Sequence, residues 1–287
     1  MFSHPLNQNE KFKFIDDLSI LEILNLLSIG LASYNCYNHV PSDVGIDHLY
    51  LDPKNTQSQE YLEKISKWTV KNEMKLNTKK TNYMLFNFSK NYKFNTRLAL
   101  EGENLEQVHV TKLLGLKIRD DLSWKSNTSE LTRKAYSRML IIKKLVQFDV
   151  PLDDLLHIYA LYIRSVTEQS AVVWHSAITK GEQNDLERVQ KVALRIILGQ
   201  NYTSYSEALN YTGLETLSDR RSNLCLNFAK KCIKNEAPSW MFPKNHHIVN
   251  TRNPEMFEVT KAKTERLAKS AIPYMQSLLN NYHSRKR

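Results

Sequence analysis

The sequence predicts an α+β protein, with a short antiparallel sheet and a helix followed by a mostly α-helical region. Helical and extended patterns alternate before about residue 120, whereas almost every later segment has helical periodicity. Only 7 of the 287 residues are glycine, which argues against glycine-rich phosphate-binding loops and turn-dense β-sandwiches. The apolar fraction of 41% is ordinary for a globular protein, so we expect a sizeable core.

The first part of the chain is expected to contain one helix and several strands. Apolar residues at spacings of three and four predict a helix over residues 57–72. A strand is predicted over residues 82–88, and two more, 97–100 and 105–110, flank a hairpin turn centred on Gly102. Residues 111–118 are predicted to form a single strand, with Gly115 at a bulge or a close backbone approach.

The later part is expected to be a series of helices. Ser123 or Ser126 is predicted to cap a helix ending near residue 147, and Pro151 to open a helix ending near residue 173. Further helices are predicted over 182–198, ending at Gly199, and over 217–235 and 260–280. Trp124 and Trp174 are expected to fill cores, and His175 to be structural. The predicted division is 1–118, 119–240 and 241–287.

Charge and cysteine content narrow the class of partner. The formal net charge of +10 favours a polyanion such as nucleic acid. Cys36, Cys225 and Cys232 are expected to be ordinary thiols without a disulfide partner. The start of the chain is polar, and the apolar run 18–31 is too short and too interrupted to span a bilayer. We therefore expect an intracellular protein, nuclear or cytoplasmic, that is neither secreted nor inserted in a membrane.

Two adjacent acids, Asp16 and Asp17, form the first candidate site in the segment Phe-Ile-Asp-Asp. On a tight turn between strands, both carboxylates could bind Mg²⁺, a cation that prefers hard oxygen ligands and serves phosphoryl transfer. Alternatively, either acid caps a helix formed by the apolar residues that follow. Local pattern favours the cap.

A lysine-rich segment, Met-Lys-Leu-Asn-Thr-Lys-Lys-Thr at 74–81, forms the second candidate site between a predicted helix and a predicted strand. A lysine there could contact a phosphate or protonate a leaving pyrophosphate. The alternative is a solvated basic turn, which is the commoner case.

The order of these motifs resembles the second half of a reverse transcriptase of the non-LTR (LINE-type) retrotransposon class. The resemblance rests on Phe-Ile-Asp-Asp at 14–17, on Trp-x₃-Asn-x-Met-Lys-Leu-Asn-x₂-Lys-Thr at 68–81, and on Leu-Leu-Gly-Leu at 113–116. Downstream, Glu-x-Ser-Ala-x₂-Trp and Leu-Glu-Arg-Val-Gln-Lys contribute the positions Glu168, Trp174, Leu186, Glu187, Val189 and Gln190. The resemblance covers about residues 11–236.

The resemblance implies a residual palm followed by a thumb-like helical region, and a role for each motif. Asp16 and Asp17 would hold catalytic Mg²⁺, and Lys80, or else Lys79, would act as general acid. The strand with Leu113, Leu114, Gly115 and Leu116 would be the primer grip.

The chain also departs from the family pattern. Only thirteen residues precede Phe14, and none is an aspartate, whereas family members carry fingers and another palm aspartate upstream. We therefore expect an inactive fragment that lacks the N-terminal half of the polymerase and has weak or no Mg²⁺ affinity. The alternatives are a non-enzymatic nucleic-acid-binding helical module and an inactive pseudogene product.

A basic helical stretch is the third candidate site. Several of its cations share one helix face, which could follow the phosphates of an RNA/DNA template–primer duplex; the alternative is a solvated face. The candidates are Lys125, Arg133, Lys134, Arg138, Lys143 and Lys144.

Overall fold

The computed structural model describes residues 56–71, 76–86, 88, 97–234, 241–245 and 256–284. The protein is a mixed α+β structure, mostly helical with short sheets, which confirms the predicted α+β class. It divides into two compact units, and the division falls between Ser123 and Trp124. Asp16, Asp17 and Cys36 lie outside the described residues.

In the first unit, the first element of the described residues is helix α1, Thr56–Lys71, close to the predicted bounds. The Gln59 side chain ties this helix to strand β2, Ala99–Leu100. Its Nε2 donates to the Ala99 carbonyl at 2.9 Å, and its Oε1 accepts from the Ala99 N–H at 3.1 Å. One amide side chain thus satisfies both backbone groups of a strand residue.

Two small sheets follow, and the predicted turn at Gly102 is confirmed. Strand β3, Glu103–Asn104, pairs antiparallel with β2 across a turn in which Glu101 and Gly102 both have positive φ. Strand β1, Asn82–Tyr83, pairs parallel with β4, Glu106–Gln107, so the predicted strand 82–88 is much shorter than expected. The return strand predicted at 105–110 is replaced by these shorter elements.

The single strand predicted over 111–118 is wrong. Strands β5, Val110–Leu113, and β6, Leu116–Arg119, form an antiparallel hairpin. Leu114 and Gly115 make its turn, with φ of +49° and +86°. This is the backbone geometry of a tight two-residue hairpin, in which Asn-Gly is the usual pair. Because leucine disfavours positive φ, the sequence Leu-Leu-Gly-Leu gives no signal for such a turn. It has instead the apolar pattern of an unbroken strand.

In the helical unit, the first element of the described residues is helix α2, Lys125–Gln147. Its N-cap residue is Trp124, without a side-chain cap, so the prediction of a capping Ser123 or Ser126 is wrong. The helix predicted from Pro151 to residue 173 is divided. It comprises α3, Leu152–Ile158; a π-helical segment, Tyr159–Arg164; α4, Ser165–Glu168; and α5, Ala171–Trp174.

Helices α6 and α8 match the predictions, and the intervening helix was not predicted. Helix α6, Lys180–Leu198, ends at Gly199 as expected, and its N-cap Thr179 forms a capping box with Glu182. The remaining helices are α7, Tyr205–Thr212; α8, Leu217–Lys234; α9, Glu265–Ala268; and α10, Ala271–Ser284. The last predicted helix, 260–280, is therefore two helices.

The main core of this unit lies between α2, α3, the π-helical segment and α6. Its fully buried members include Ala135, Ile142, Tyr159, Val189 and Ala193. Trp124 and Trp174 are both buried, which confirms that they fill cores. On another side of the unit, α10 packs against α8 and α5. The apolar stripes of α2 and α6 therefore meet each other, and their outer faces are left to solvent.

Candidate nucleic-acid interface

Helix α2 buries one face and exposes the opposite one. Leu131, Ala135, Met139 and Ile142 are buried at spacings of three and four. Since a helix has 3.6 residues per turn, this stripe directs the residues on the far side into solvent.

Four of the six predicted cations lie together on that exposed side, which we call the basic face: Lys125, Arg133, Lys143 and Lys144. All four are exposed, and no carboxylate of the described residues pairs with any of them. Lys143 follows Lys125 by about five turns, so the two lie on one line about 27 Å apart. Lys144 follows Arg133 by about three turns, on a neighbouring line.

The other two cations, Lys134 and Arg138, are directed elsewhere. Lys134 lies about two and a half turns after Lys125, on the other side of the helix, and its Nζ is 2.6 Å from Glu130. The Arg138 Nη1 donates to the Tyr162 carbonyl at 2.7 Å, and its guanidinium lies 4.5 Å from the centre of the Tyr162 ring. These contacts hold Arg138 against the π-helical segment.

A groove of about 320 Å³ runs between the first halves of α2 and α6. Helix α2 contributes Lys125, Arg133 and Tyr136 to it, and α6 contributes Arg188. The sequence pattern places Arg188 on a helix but does not indicate which helix packs beside it. The sequence therefore does not predict that Arg188 adds a fifth cation to the four of the basic face. The full lining is Lys125, Thr128, Ser129, Thr132, Arg133, Tyr136, Glu182, Asp185 and Arg188.

The lysine segment of the first unit forms a 3₁₀ turn, Thr78–Lys80. Lys79 is exposed beside a cleft of about 460 Å³ that Glu101 and Glu103 also line. The Thr78 hydroxyl donates to Glu103 at 2.8 Å. The backbone of Lys80 ends the turn, and the predicted general-acid role of Lys80 stays a prediction because Asp16 and Asp17 lie outside the described residues.

The four residues predicted as the primer grip surround the β5–β6 turn. Leu113 and Leu114 are exposed, whereas Leu116 is buried. Gly115 stands at the second turn position. The segment therefore presents two leucines at the tip of a hairpin, and its proposed contact with a primer stays a prediction.

Gln190 of the Leu-Glu-Arg-Val-Gln-Lys motif is fully buried and forms three hydrogen bonds. Its Oε1 accepts from the Tyr159 hydroxyl at 2.6 Å. Its Nε2 donates to the Tyr205 hydroxyl at 3.0 Å and to the Glu215 carbonyl at 2.8 Å. One amide thus joins α6 to the π-helical segment, to α7 and to the loop before α8.

Glu187 continues this network one turn earlier on α6. The Tyr205 hydroxyl donates to its Oε1, which also accepts the Leu217 N–H at 3.1 Å. Burial raises the pKa of Tyr159 and of Tyr205, and the hydrogen bond to Glu187 raises that of Tyr205 further. Both phenols therefore stay protonated and remain donors.

Glu168 and Trp174, from the other downstream motif, hold α4 and α5 against α8. Arg220 donates to the Glu168 carboxylate, and the Arg164 Nε lies 3.5 Å from the same oxygen. Trp174 is fully buried and donates from Nε1 to the Gln169 carbonyl at 2.9 Å, and the guanidinium of Arg221 on α8 lies 5.6 Å from the centre of its ring. These motif residues therefore connect helices in the interior.

His175 lies at the junction of α5, α8 and α10. The Nε of the fully buried Arg221 donates to its Nδ1 at 3.3 Å, so Nε2 carries the proton and donates to the Ser222 hydroxyl at 3.0 Å. That hydroxyl lies 3.0 Å from the Tyr274 hydroxyl of α10. Burial, with the nearby Arg221 charge, lowers the pKa of His175 to about 4. A neutral imidazole in this chain fits the structural role predicted for it.

Few other features of the described chain bear on ligand chemistry. Within the described residues, no three His, Cys, Asp or Glu side chains come close enough together to hold a metal ion. Cys225 and Cys232 are buried free thiols, and burial raises the pKa of Cys225 to about 12. None of the described helices combines the length and the apolar character needed to cross a membrane.

Comparison with known proteins adds no relative. A scan against protein-family models, a search of curated proteins and a search of solved structures found no match for this chain.

Proposed function

We propose that the helical unit binds the backbone of nucleic acid through the basic face of α2, as the thumb-like part of a non-LTR reverse transcriptase. One observation carries the binding proposal. The basic face presents four exposed cations on two neighbouring lines of one helix, Lys125, Arg133, Lys143 and Lys144. No carboxylate among the described residues pairs with any of them.

The length of this face suits the phosphate backbone of a nucleic acid. A duplex carries one negative charge per about 1.7 Å of its axis, so a cation array about 27 Å long meets many phosphates. Contacts of this kind position a duplex without reading its sequence. The expected ligand is therefore an RNA/DNA template–primer duplex of any sequence.

The polymerase part of the proposal rests on the sequence resemblance. In that scheme Mg²⁺ at Asp16 and Asp17 would supply the metal-ion chemistry of nucleotidyl transfer. Lys80 would donate a proton to the leaving pyrophosphate, and Leu113, Leu114, Gly115 and Leu116 would contact the primer end. These roles stay predictions.

The binding proposal is tested by charge reversal. The variant Lys125→Glu, Arg133→Glu, Lys143→Glu, Lys144→Glu should bind a fluorescent RNA/DNA duplex at least tenfold more weakly at about 0.1 M salt, because the face would repel phosphates. Fluorescence anisotropy gives the dissociation constant.

A matched control changes the net charge by the same amount elsewhere. Four other exposed lysines serve for this control: Lys231 and Lys234 on α8, and Lys261 and Lys263 just before α9. No carboxylate among the described residues pairs with any of them. Their replacement by glutamate should weaken binding much less. Equal losses in the two variants would mean that only net charge matters and would contradict a binding face on α2.

A non-enzymatic nucleic-acid-binding module is the second candidate. The basic face and the buried core residues beneath it all lie between residues 125 and 197, so binding by these helices does not require the predicted palm, residues 1–118. Primer extension with Mg²⁺ and all four nucleotides distinguishes the candidates. Extension that Asp16→Asn and Asp17→Asn abolish supports a polymerase, whereas duplex binding without extension supports the module.

A further inference from the structure

The groove between α2 and α6 is a concave site that shares Lys125 and Arg133 with the basic face. Its volume of about 320 Å³ lies at the lower end of the range of small-molecule sites, about 300–1,000 Å³. A space of this size suits one small ligand and is too small for a double helix. Because Lys125 and Arg133 stand on its α2 side, a duplex on the basic face would lie across the mouth of the groove.

The rim of the groove carries positive charge on both sides. Lys125 and Arg133 stand on α2, and Arg188 stands opposite on α6, two-thirds exposed. Against these three cations the lining has two carboxylates, Glu182 and Asp185, so the net charge is positive. Cations facing one another across a groove are suited to the phosphates on either side of a single nucleotide.

The interior of the groove offers one aromatic ring. Tyr136 is half-buried, packs against the main core and also lines the groove. Burial raises the pKa of its hydroxyl, which therefore stays protonated and remains a donor. Aromatic rings in basic grooves are the usual platforms on which unpaired bases stack.

Hydrogen-bonding groups line the same groove. Glu182 is held at one end, where its Oε1 accepts from Thr128 at 3.3 Å and its Oε2 accepts from the Thr179 N–H at 2.7 Å. Asp185 is more exposed and lies 3.6 Å from Arg188. Carboxylates and hydroxyls so placed can accept hydrogen bonds from the amino groups of a base.

We propose that the α2–α6 groove binds one unpaired nucleotide of a strand whose neighbouring duplex lies on the basic face. The nucleotide's base would contact Tyr136, and its phosphates would contact Arg133 and Arg188. This inference rests on the proposed binding function and adds a preference for duplexes with a single-stranded overhang.

The test compares two forms of one RNA/DNA duplex, blunt and with a template overhang. Wild-type protein should bind the overhang form about 5- to 150-fold more tightly, the range expected for one stacked base. Tyr136→Leu should reduce this preference to near unity while blunt-duplex affinity changes less than about twofold. Tyr211→Leu, at an exposed tyrosine of α7, is the matched control and should keep the preference.

A second variant protects the test against a folding defect. Arg188 is exposed, so Arg188→Gln should leave the circular dichroism spectrum unchanged and reduce the overhang preference about threefold or more. A 2-aminopurine at the first unpaired position should be quenched by wild-type protein and much less by Tyr136→Leu.

The outcomes separate this inference from the function on which it rests. If the protein binds blunt duplex but shows no overhang preference, or keeps that preference in both groove variants, the groove proposal is wrong and the basic face stands. If it binds neither duplex at low salt, both proposals fail.

Discussion

At the scale of single residues, Leu114 occupies a backbone conformation that suits few side chains. Its φ is +49°, the residue is 50% exposed, and Gly115 follows in the second turn position. Left-handed backbone costs an ordinary L-residue about 1 kcal/mol or more, whereas asparagine tolerates it.

Leu114→Asn should therefore stabilise the β5–β6 hairpin by about 0.5–1 kcal/mol. Amide hydrogen exchange in the hairpin should slow about two- to fivefold. The neighbouring Leu113→Asn is the control, since Leu113 is also exposed but lies in a strand. Equal or faster exchange in Leu114→Asn would show that the left-handed leucine carries no strain.

His175 makes the stability of the helical unit depend on pH. Its pKa is about 4 in the folded chain, because of burial and Arg221, and about 6.5 when unfolded. Between these values the unfolded state binds more protons, so the free energy of unfolding should fall as pH decreases from 6.5 to 4. The total loss should be about 3 kcal/mol.

Urea unfolding at several pH values measures this effect. His175→Gln retains one acceptor and one donor for Arg221 and Ser222, and it should remove this part of the pH dependence. His157→Gln, at an exposed histidine of α3, should leave it in place. Parallel stability curves for wild type and His175→Gln over pH 4–6.5 would contradict the assignment.

At the scale of elements, Gln190 determines how α6 meets three neighbours. Gln190→Leu would leave the buried Tyr159 hydroxyl and the Glu215 carbonyl without their partner. We expect a loss of about 2–4 kcal/mol in the free energy of unfolding, measured by urea titration.

Gln183→Leu on the same helix provides the matched control. Gln183 is half-buried and makes one hydrogen bond, to Ser218. Its replacement should cost less than about 1 kcal/mol. Similar losses at the two positions would contradict the central role of the Gln190 network.

The sequence predicts the helix bounds correctly where local capping signals determine them, and wrongly where tertiary contacts determine them. The capping box and Gly199 define α6, and its bounds were close to the prediction. Ser204, Glu207 and Gly213 give comparable signals for α7, so that helix could have been predicted. No glycine or proline lies between 152 and 174, so the break at Ser170, with φ of +50°, has no such signal.

At the scale of the whole molecule, net charge indicated a polyanionic partner but not the surface that would bind it. The helical period predicted that several cations of α2 share a face. It could not show that Arg138 binds the Tyr162 carbonyl or that Arg188 lies across a groove, because both depend on which helices pack together. The buried Arg221 was equally unpredictable, since arginine is rarely found in cores.

The most direct test of nucleic-acid binding by α2 is the salt dependence of duplex affinity. If all four cations of the basic face contact phosphates, the logarithm of the association constant should fall with the logarithm of salt concentration with a slope of about −3 to −4. Lys143→Gln should make that slope about one unit shallower. A slope near zero, or a slope that Lys143→Gln leaves unchanged, would contradict the account.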